Sequence, residues 1–399
     1  MPCEALAKRG RNMMKTNKLN FAVIGCGALA RGQHIPNIAR SSKAALHTCC
    51  DLSDAALDEC RQKWGAKHIS KDYKVVIRDP EVEAICLATT ENLRLPIIEA
   101  AAQAKKPVYV EKPLAGNMAE LLQIQKIVKQ SGIPFCVGHN RRCSPAAIEA
   151  HRIFRAHMAD PKPCPWRWNR EGASRSNQKD DGLASMNVRI NDDWYSWKGW
   201  VFNKKQSSHG MILTEFTHFY DLCNWFLAAE PAEVFAIENG MLTSAVTIRY
   251  KTGEIATILD CANGTFGYPK ELYEAMGNGG IVVLDHMLEV RTAGITDAPP
   301  RQAFPMLGDR HPNVGAEGGL YGWLAKKNTA CREAAAQGNP LLQFTAEPDK
   351  GHARAIAAFV DEIRGIGPQV CGVDDAVLAT RIAFAAIKSS AEKRIVAIN

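Results

Sequence analysis

The stretch Asn20-Phe-Ala-Val-Ile-Gly25-Cys-Gly27-Ala-Leu-Ala30 decides the fold of the first part of this chain. The apolar run from Phe21 to Ile24 predicts a buried strand, and it leads directly into the pattern Gly-x-Gly-x-x-Ala. Gly25 permits a tight turn, Gly27 lets the backbone approach a pyrophosphate, and Ala30 lets the next helix pack closely on the strand. The helix N-terminus would then meet the phosphates with its positive dipole end.

An acidic residue follows at the distance that a nucleotide-binding unit of this kind requires. Asp51 ends a second apolar stretch and lies about 20 residues beyond the glycine pattern. A carboxylate at this place accepts a hydrogen bond from the ribose 2′-OH and repels a 2′-phosphate, so NAD is favoured over NADP. Asp51 can also cap the next helix together with Ser53 and Asp54, and one residue can serve both purposes.

A second informative stretch is Val108-Tyr-Val-Glu-Lys-Pro-Leu-Ala115. It predicts a short strand that ends at Glu111 and Lys112, where Pro113 turns the chain. Ligands bind at the carboxyl ends of the strands in open α/β sheets. A lysine there, beside an acid that can fix its position, is therefore a candidate for proton or hydroxyl chemistry. An isolated Glu-Lys-Pro would more often be a strand-end salt bridge, and the preceding glycine pattern favours the functional interpretation.

Four motifs together resemble the Gfo/Idh/MocA family of NAD(P)-dependent sugar and inositol oxidoreductases. They are the glycine pattern, Ile85-Cys-Leu-Ala-Thr89, Val110-Glu-Lys-Pro-Leu114 and Val137-Gly-His-Asn-Arg-Arg142. The resemblance extends from Leu19 over nearly the whole chain. One loop departs from it, because Thr89-Thr90-Glu91-Asn92 stands where the family commonly has Thr-Pro-Asn. The resemblance and the glycine pattern together predict a set of cofactor-binding residues: Gly25, Gly27, Ala28, Leu29, Ala30, Asp51, Thr89, Glu111, Lys112, Asn140 and Arg141.

Composition limits the classes of protein that this chain can represent. Its 399 residues suggest two domains, and 46% hydrophobic with 23% charged residues is ordinary for a globular protein. A formal charge of +7 without a basic, aromatic-containing stripe does not indicate nucleic-acid binding. No apolar run is long enough to predict a membrane span. The 13 cysteines show no zinc-binding spacing, so we expect a reducing cytoplasmic location and no metal.

The order of the predicted elements indicates the domain organisation. Residues 1–18 are polar and basic and predict a disordered leader. Alternating strands and helices over 19–140 predict a parallel sheet, that is, an α/β Rossmann dinucleotide-binding domain. Residues 141–399 predict an α+β domain for substrate binding and oligomerisation, because short alternating strands between 232 and 292 favour a largely antiparallel open sheet. The resemblance implies a homo-oligomer, a dimer or tetramer, built on the exposed face of that sheet.

The segment 211–227 predicts a helix with a polar face. Thr214, His218, Asp221 and Trp225 share that face by their spacing, and an aspartate one turn from a histidine can fix its tautomer. In the resembled family the catalytic region reads Asp-x-x-x-His-x-x-Asp. His218 and Asp221 match the last two positions, whereas position 214 is threonine and the nearest acid is Glu215. The role of the first acid stays open.

Residues 160–210 are the least regular part of the sequence and contain five of the eight tryptophans. Aromatic faces beside polar groups are typical of polyol sites, although aromatic packing of a long loop is an equally simple interpretation. We predict a substrate-binding role for the polar residues that surround Trp194 and for Trp194 itself. We predict the same role for Lys112, Glu215 and His218 of the motifs above. The predicted substrate-binding residues are Lys112, Arg189, Asn191, Asp192, Trp194, Glu215 and His218.

The predicted function is NAD-dependent oxidation or reduction of one secondary hydroxyl or ketone of a sugar, inositol or related polyol. Lys112 would stabilise developing alkoxide charge, His218 would be the general acid/base, and Asp221 would orient His218. Two alternatives remain open. One is an NAD-dependent redox glycosidase that oxidises C3 transiently and eliminates a glycosidic group, and the other is a non-catalytic NAD-binding regulatory protein.

Overall fold

The computed structural model describes residues 18–161, 182–193, 210–239, 242–307, 314–338 and 347–398. The predicted leader, apart from residue 18, lies outside these ranges, and so do Trp194 and the other four tryptophans between 166 and 200. The chain forms two compact units. The first comprises Met1–Glu111, Gln123–Gly138 and Ala353–Val370, and the second comprises Lys112–Leu122, His139–His352 and Cys371–Asn399.

The first unit contains a six-stranded parallel sheet with the strand order β3-β2-β1-β4-β5-β6. Its inner strands are almost continuously buried, as expected when helices cover both faces of a sheet. The sequence pattern predicts five strands, at 20–25, 45–51, 83–89, 107–111 and 134–138, which are all confirmed, and β3 is an additional edge strand of three residues. The strands are β1 Leu19–Ile24, β2 Ala44–Cys50, β3 His68–Ser70, β4 Ala84–Leu87, β5 Val108–Val110 and β6 Phe135–Val137.

The helices up to residue 159 follow these strands along the chain. A wide helical turn at Ala30–His34 leads into the first of them. Asn117 Oδ1 accepts from the backbone N–H of Glu120 at 3.0 Å, which confirms the predicted cap of α5. The helices are α1 Ile35–Arg40, α2 Asp54–Trp64, α3 Tyr73–Arg78, α4 Arg94–Gln103, α5 Met118–Ser131 and α6 Pro145–Ala159.

The second unit contains a nine-stranded sheet in the order β14-β13-β12-β11-β7-β10-β9-β8-β17. Only β7 and β10 run parallel, so the predicted, largely antiparallel sheet is confirmed. The strands are β7 Ser185–Asn191, β8 Pro231–Asn239, β9 Thr243–Tyr250, β10 Ile255–Cys261, β11 Glu271–Gly277, β12 Gly280–Asp285, β13 Glu289–Ala293, β14 Arg301–Ala303, β15 Met306–Leu307, β16 Glu347–Pro348 and β17 Val396–Ala397. Strands β15 and β16 form a separate pair.

Local residues explain the tightest connection in this sheet. Asn278 and Gly279 join β11 to β12 with φ angles of 48° and 77°. This conformation is that of a hairpin turn whose twist matches the flanking strands, and Asn-Gly favours it. The hairpin predicted here and the one joining β9 to β10 are therefore confirmed.

The remaining helices correct two predictions. The predicted single helix over 211–227 is broken at Glu215 into α7 and α8. The proline and glycine content of residues 293–322 predicts a loop, but α9 begins inside this segment. No helix within the described residues has the length and apolarity needed to cross a membrane. The helices are α7 Gly210–Thr214, α8 Phe216–Leu227, α9 Val314–Ala336 with an interruption at Gly319, α10 His352–Ile363 and α11 Val373–Glu392.

The two units also correct the predicted continuous division at residue 140, because most of α10 belongs to the first unit. Phe359 of α10 is fully buried, and its ring centroid lies 6.4 Å from that of Phe21 and 6.0 Å from that of Tyr109. Asp361, which lies on the same helix as Phe359, accepts a hydrogen bond from Lys43 Nζ at 2.7 Å. Apolar packing that connects distant parts of the chain decided this boundary, and the sequence pattern contains no sign of it.

Candidate active site

The glycine loop at the end of β1 has the shape that its sequence predicts. Gly25 has a φ of 90°, and a Cβ there would lie 2.8 Å from the backbone of Ala88 and Thr89. A side chain is therefore excluded by both the conformation and the contact. A Cβ on Gly27 would meet nothing within 4 Å, and Gly27 and the two residues after it are exposed. The loop thus leaves an open, backbone-lined surface at a helix N-terminus, which suits a pyrophosphate.

Asp51 connects the end of β2 to this loop. Its Oδ2 accepts from the backbone N–H of Cys26 at 2.7 Å, and its Oδ1 accepts from that of Ser53 at 2.9 Å. Ser53 is the residue that caps α2, since its Oγ accepts from the N–H of Ala56 at 3.3 Å. Thr89 Oγ1 is buried and has no hydrogen-bond partner among the described residues. The loop, the fixed carboxylate and this orphaned hydroxyl together fit a bound dinucleotide.

Glu111, predicted to contact the cofactor, is a buried residue at the end of β5. Its Oε1 lies 2.8 Å from His34 Nε2, and Arg94 donates to its carbonyl oxygen. A Cβ on Gly138 would lie only 2.8 Å from Glu111 Oε1, so only glycine fits beside this carboxylate. These contacts fix Glu111 within the first unit.

Lys112 begins the second unit and is held by residues far away in sequence. Its Nζ donates to the carbonyl oxygen of Thr214 at 2.7 Å and to Glu215 Oε2 at 3.1 Å. The Thr214 carbonyl is available because α7 ends there, and a terminal carbonyl has no partner within its own helix. The Thr214 hydroxyl instead donates to the carbonyl oxygen of Gly210. The helix break that the sequence did not predict therefore positions the lysine.

Glu215 lies at the centre of a buried charge network. Besides Lys112, its Oε1 accepts from Lys270 Nζ at 2.8 Å and from Arg141 at 3.2 Å. Lys270 also lies 3.2 Å from Asp192 Oδ2. Burial alone would raise the pKa of Glu215, but Lys270, Lys112 and Arg141 together hold that pKa well below its ordinary value. Glu215 is therefore a carboxylate that fixes three cations.

Arg141, predicted to contact the cofactor, makes its strongest contact with another acid. Its guanidinium donates two hydrogen bonds, of 2.8 and 2.7 Å, to the fully buried Glu271. Tyr273 donates to the same carboxylate at 2.7 Å, and Lys350 Nζ lies 3.3 Å away. Burial would raise the pKa of Glu271, but Arg141 and Lys350 hold it well below its ordinary value. Arg141 thus bridges the acids Glu215 and Glu271.

His218 is buried beside this network. Its ring meets that of His139 edge to face, with centroids 5.5 Å apart. Its Nδ1 is buried, and no described residue forms a hydrogen bond with it. Burial, followed by the charges of Arg141 and Lys112, holds the pKa of His218 well below its ordinary value. An uncharged imidazole close to the lysine is the state that a general base requires.

Asp221 has a different partner from the one predicted. Its carboxylate accepts two hydrogen bonds from Arg142, of 2.8 and 2.7 Å, and the Cys371 thiol lies 3.7 Å from its Oδ1. Within the described residues, no hydrogen bond joins Asp221 to His218. The predicted orienting pair is therefore corrected to an Arg142–Asp221 pair. The reason is that α8 turns Asp221 towards the short helical turn formed by residues 140–143.

Of the predicted substrate-binding residues on and just after β7, only Asp192 contacts the charge network around Glu215. Arg189 donates to the carbonyl oxygen of Pro269 at 2.8 Å and lies over the ring of Tyr268. Asn191 donates to the carbonyl oxygen of Thr265 at 2.7 Å. Both side chains therefore hold the loop that follows β10. Asp192, which is fully buried, joins the network through Lys270.

Asn140 and several residues that the sequence did not single out complete the site. The Asn140 amide donates to the carbonyl oxygen of Lys350 at 2.7 Å, which fixes the segment that carries this lysine. Four of the missed residues lie just before β11, within it, and just before α10, where no motif marks them, and the fifth follows β6 within a motif. They are His139, Lys270, Glu271, Tyr273 and Lys350. His139, adjacent to the predicted Asn140, is the one residue that the motif could have revealed.

Comparison with known proteins identifies the class of this protein. Residues 19–139 match the Gfo/Idh/MocA family, described as an oxidoreductase family with an NAD-binding Rossmann fold. The resemblance that the sequence motifs predicted is therefore confirmed for this part of the chain. The predicted fold class is confirmed, and the description of the matched family agrees with the predicted cofactor and enzyme class.

Particular relatives cover nearly the whole chain. It is similar to myo-inositol 2-dehydrogenase of Thermotoga maritima, with 23% identity over 95% of this chain and 98% of that protein. Its fold is similar to scyllo-inositol dehydrogenase from Lactobacillus casei with bound NAD(H) and scyllo-inositol, with a TM-score of 0.68, 18% identity and coverage of 96% and 99%. A levoglucosan dehydrogenase complex with NADH gives a TM-score of 0.71 at 18% identity, with coverage of 96% and 99%.

Proposed function

We propose that this protein is an NAD-dependent dehydrogenase that acts on one secondary hydroxyl of a polyol with a rigid six-membered ring, such as an inositol or a pyranose sugar. The arrangement of Lys112, Glu215 and His218 carries the proposal. It places a fixed ammonium beside an uncharged imidazole whose Nδ1 is buried without a partner among the described residues. The relatives that act on inositols and on levoglucosan support the choice of substrate class.

The two residues perform complementary steps in the oxidative direction. The neutral imidazole of His218 takes the proton of the reacting hydroxyl. The ammonium of Lys112 donates a hydrogen bond to the same oxygen and stabilises the negative charge that develops on it. When bound, NAD supplies the hydride acceptor, for which the glycine loop and Asp51 provide the binding surface. In the reductive direction the protonated imidazole of His218 returns the proton to that oxygen, and Lys112 donates the same hydrogen bond.

Glu215 is the positioning residue of this proposal. Lys112 has a flexible four-carbon side chain, and the acid together with the Thr214 carbonyl fixes its Nζ. The family pattern has an acid at position 214, where this chain has threonine. The acid one residue later reaches the lysine because the helix breaks there. This arrangement supports Glu215 as the functional replacement for the family acid.

The test is a panel of inositols, pyranoses and their glycosides, followed by NADH formation with the wild type and Lys112→Ala. We expect NADH formation with at least one free polyol and a kcat reduced about 10²-fold or more in the variant, a far greater loss than that in its NAD affinity. Lys129→Ala, on the surface of α5, is the matched control. Glycoside cleavage without net NADH would favour the redox glycosidase. NAD binding without turnover of any substrate would favour a regulatory protein.

We also propose that the protein is a cytoplasmic homo-oligomer, either a dimer or a tetramer. Ile237 and Leu259 are each about half exposed and flank Ala245 across three neighbouring strands, so they form an apolar row on the open face of the sheet. None of the eleven cysteines in the described part of the chain forms a disulfide, which suits a reducing compartment. Sedimentation should show a smaller species for Leu259→Lys but not for Ile366→Lys. A monomeric wild type would contradict the oligomer.

A further inference from the structure

Two histidines and a glutamate converge at one edge of the six-stranded sheet. His47 lies on β2, His68 lies on the edge strand β3, and Glu81 lies in the turn before β4. Their potential ligand atoms all lie within 4.8 Å of one another. Nothing in the proposed reaction uses these residues, which come from three separate segments of the chain.

Both ring nitrogens of His47 have a hydrogen-bonding partner, and these two contacts fix the orientation of the ring. It is fully buried, its Nε2 lies 3.0 Å from Glu81 Oε2, and its Nδ1 lies 2.9 Å from Thr48 Oγ1. The rings of His47 and His68 are 4.9 Å apart between centroids. A hydroxyl can donate or accept, so Thr48 can also support the tautomer in which Nδ1 carries the proton and Nε2 is a free ligand.

The distances suit an ion between these side chains. Zinc binds histidine nitrogen and carboxylate oxygen at about 2.0–2.2 Å, so two such donors on one tetrahedral ion lie about 3.3 Å apart. The Nε2–Oε2 separation of 3.0 Å needs to open by only about 0.3 Å. Two imidazoles and one carboxylate are also a ligand set that divalent transition metals accept readily.

We propose that His47, His68 and Glu81 form a binding site for a divalent transition-metal ion such as Zn²⁺ or Co²⁺. The Glu81 side chain is 70% exposed and His68 is exposed, so water can occupy the remaining coordination position. Solvent also screens the single positive charge that the complex would carry. The ion would link β2, the three-residue edge strand β3 and the turn before β4. It would therefore stabilise an edge strand of only three residues.

A different cluster of ligand atoms has to be distinguished in any test. Cys26, Cys49 and Cys60 also bring their sulfur atoms within 4.8 Å of one another, and all three are buried. Thiolates prefer softer ions, and their complexes with Co²⁺ show a sulfur-to-metal charge-transfer absorption. Nitrogen and oxygen ligands give only the weaker d–d bands. Co²⁺ is therefore the informative probe.

The experiment is a Co²⁺ titration of the reduced, full-length protein, followed by absorption and by the thermal unfolding midpoint. We expect one ion per chain, d–d bands without sulfur charge transfer, and a midpoint that rises with Co²⁺. His68→Ala and Glu81→Gln should each weaken binding at least tenfold and remove the rise in the midpoint. Thr48→Val should weaken binding about tenfold, because it removes the support of the tautomer.

The matched control is Glu83→Gln, two residues from Glu81, whose carboxylate accepts from the N–H of Asn20. It should bind Co²⁺ as the wild type does. The proposal is overturned if the wild type binds no Co²⁺, if His68→Ala and Glu81→Gln bind it normally, or if binding shows sulfur charge transfer. None of these readouts depends on dehydrogenase activity, so the failure of either proposal is recognisable independently.

Discussion

Lys112 Nζ lies 3.1 Å from Glu215 Oε2, and this contact joins the end of a predicted strand motif to a break between two helices 103 residues further along the chain. Both residues belong to the second unit, although the motif that contains Lys112 begins in the first. The acid beside the lysine in sequence, Glu111, pairs with His34 instead. The geometry thus selects Glu215 as the acid that holds the lysine.

The first prediction concerns the charge balance at Glu215. Glu215→Gln removes an acid that faces three cations and should lower the free energy of unfolding by about 3 kcal/mol, because Lys112, Lys270 and Arg141 each lose an acidic partner. Urea unfolding measures this change. Glu274→Gln, on the more exposed side of β11, should change it by no more than about 0.5 kcal/mol. Equal effects of the two substitutions on the free energy of unfolding would show that the charge network around Glu215 does not stabilise the fold.

The second prediction concerns the pH dependence of His218. Because its pKa lies well below the ordinary value, the imidazole is already neutral near pH 6.5. The profile of kcat/KM for oxidation against pH should therefore show no acid limb there, that is, no loss of activity caused by protonation of a histidine. The limb should appear at lower pH. His218→Asn should reduce kcat about 10²-fold or more and leave NAD affinity unchanged. A limb at the ordinary histidine pKa in the wild type would contradict this assignment.

The same pKa predicts how acid affects the fold. Below about pH 6.5 the unfolded chain gains a proton on His218 that the folded chain does not, so stability should fall as the pH falls towards the depressed folded value. The pH dependence of urea unfolding measures this loss. His218→Asn should make the dependence shallower, and an unchanged slope would exclude His218 as its source.

The third prediction concerns cofactor choice. Asp51→Asn keeps an oxygen that can accept from the N–H of Cys26 but removes the charge that repels a 2′-phosphate. Titration with both nucleotides should show that the ratio of NADP to NAD affinity increases. Asp58→Asn, on the exposed side of α2, is the control and should leave the ratio unchanged. A wild type that already prefers NADP would refute the role of Asp51.

The fourth prediction concerns Asp221, whose partner is Arg142. Asp221→Asn should destabilise the protein by about 3 kcal/mol, because the buried guanidinium loses its two-bond partner and keeps only Asp375, 3.3 Å away, as an acidic neighbour. It should not move the acid limb of the activity profile, because no hydrogen bond joins Asp221 to His218 among the described residues. Unfolding curves and pH profiles separate the two effects. A shifted limb with normal stability would restore the orienting role that the motif suggested.

The sequence alone determined those features that local chemistry specifies. The glycine pattern with Asp51, the alternation of strands and helices, and the Asn-Gly hairpin each depend on residues that act within one turn or one strand–helix unit. Backbone conformation and hydrophobic periodicity are local properties, so these predictions were confirmed in the structure. The same reasoning located Lys112 and His218, because each lies within a recognisable motif.

Only the tertiary structure decided which side chains meet. Glu215, Lys270 and Glu271 form a network with Lys112 and Arg141 because β7, β11 and the break between α7 and α8 bring them together. The position of α10 in the first unit and the convergence of His47, His68 and Glu81 have the same origin. Such contacts join residues that are far apart in the chain, and the burial of apolar surface that creates them leaves no periodic pattern at the polar positions.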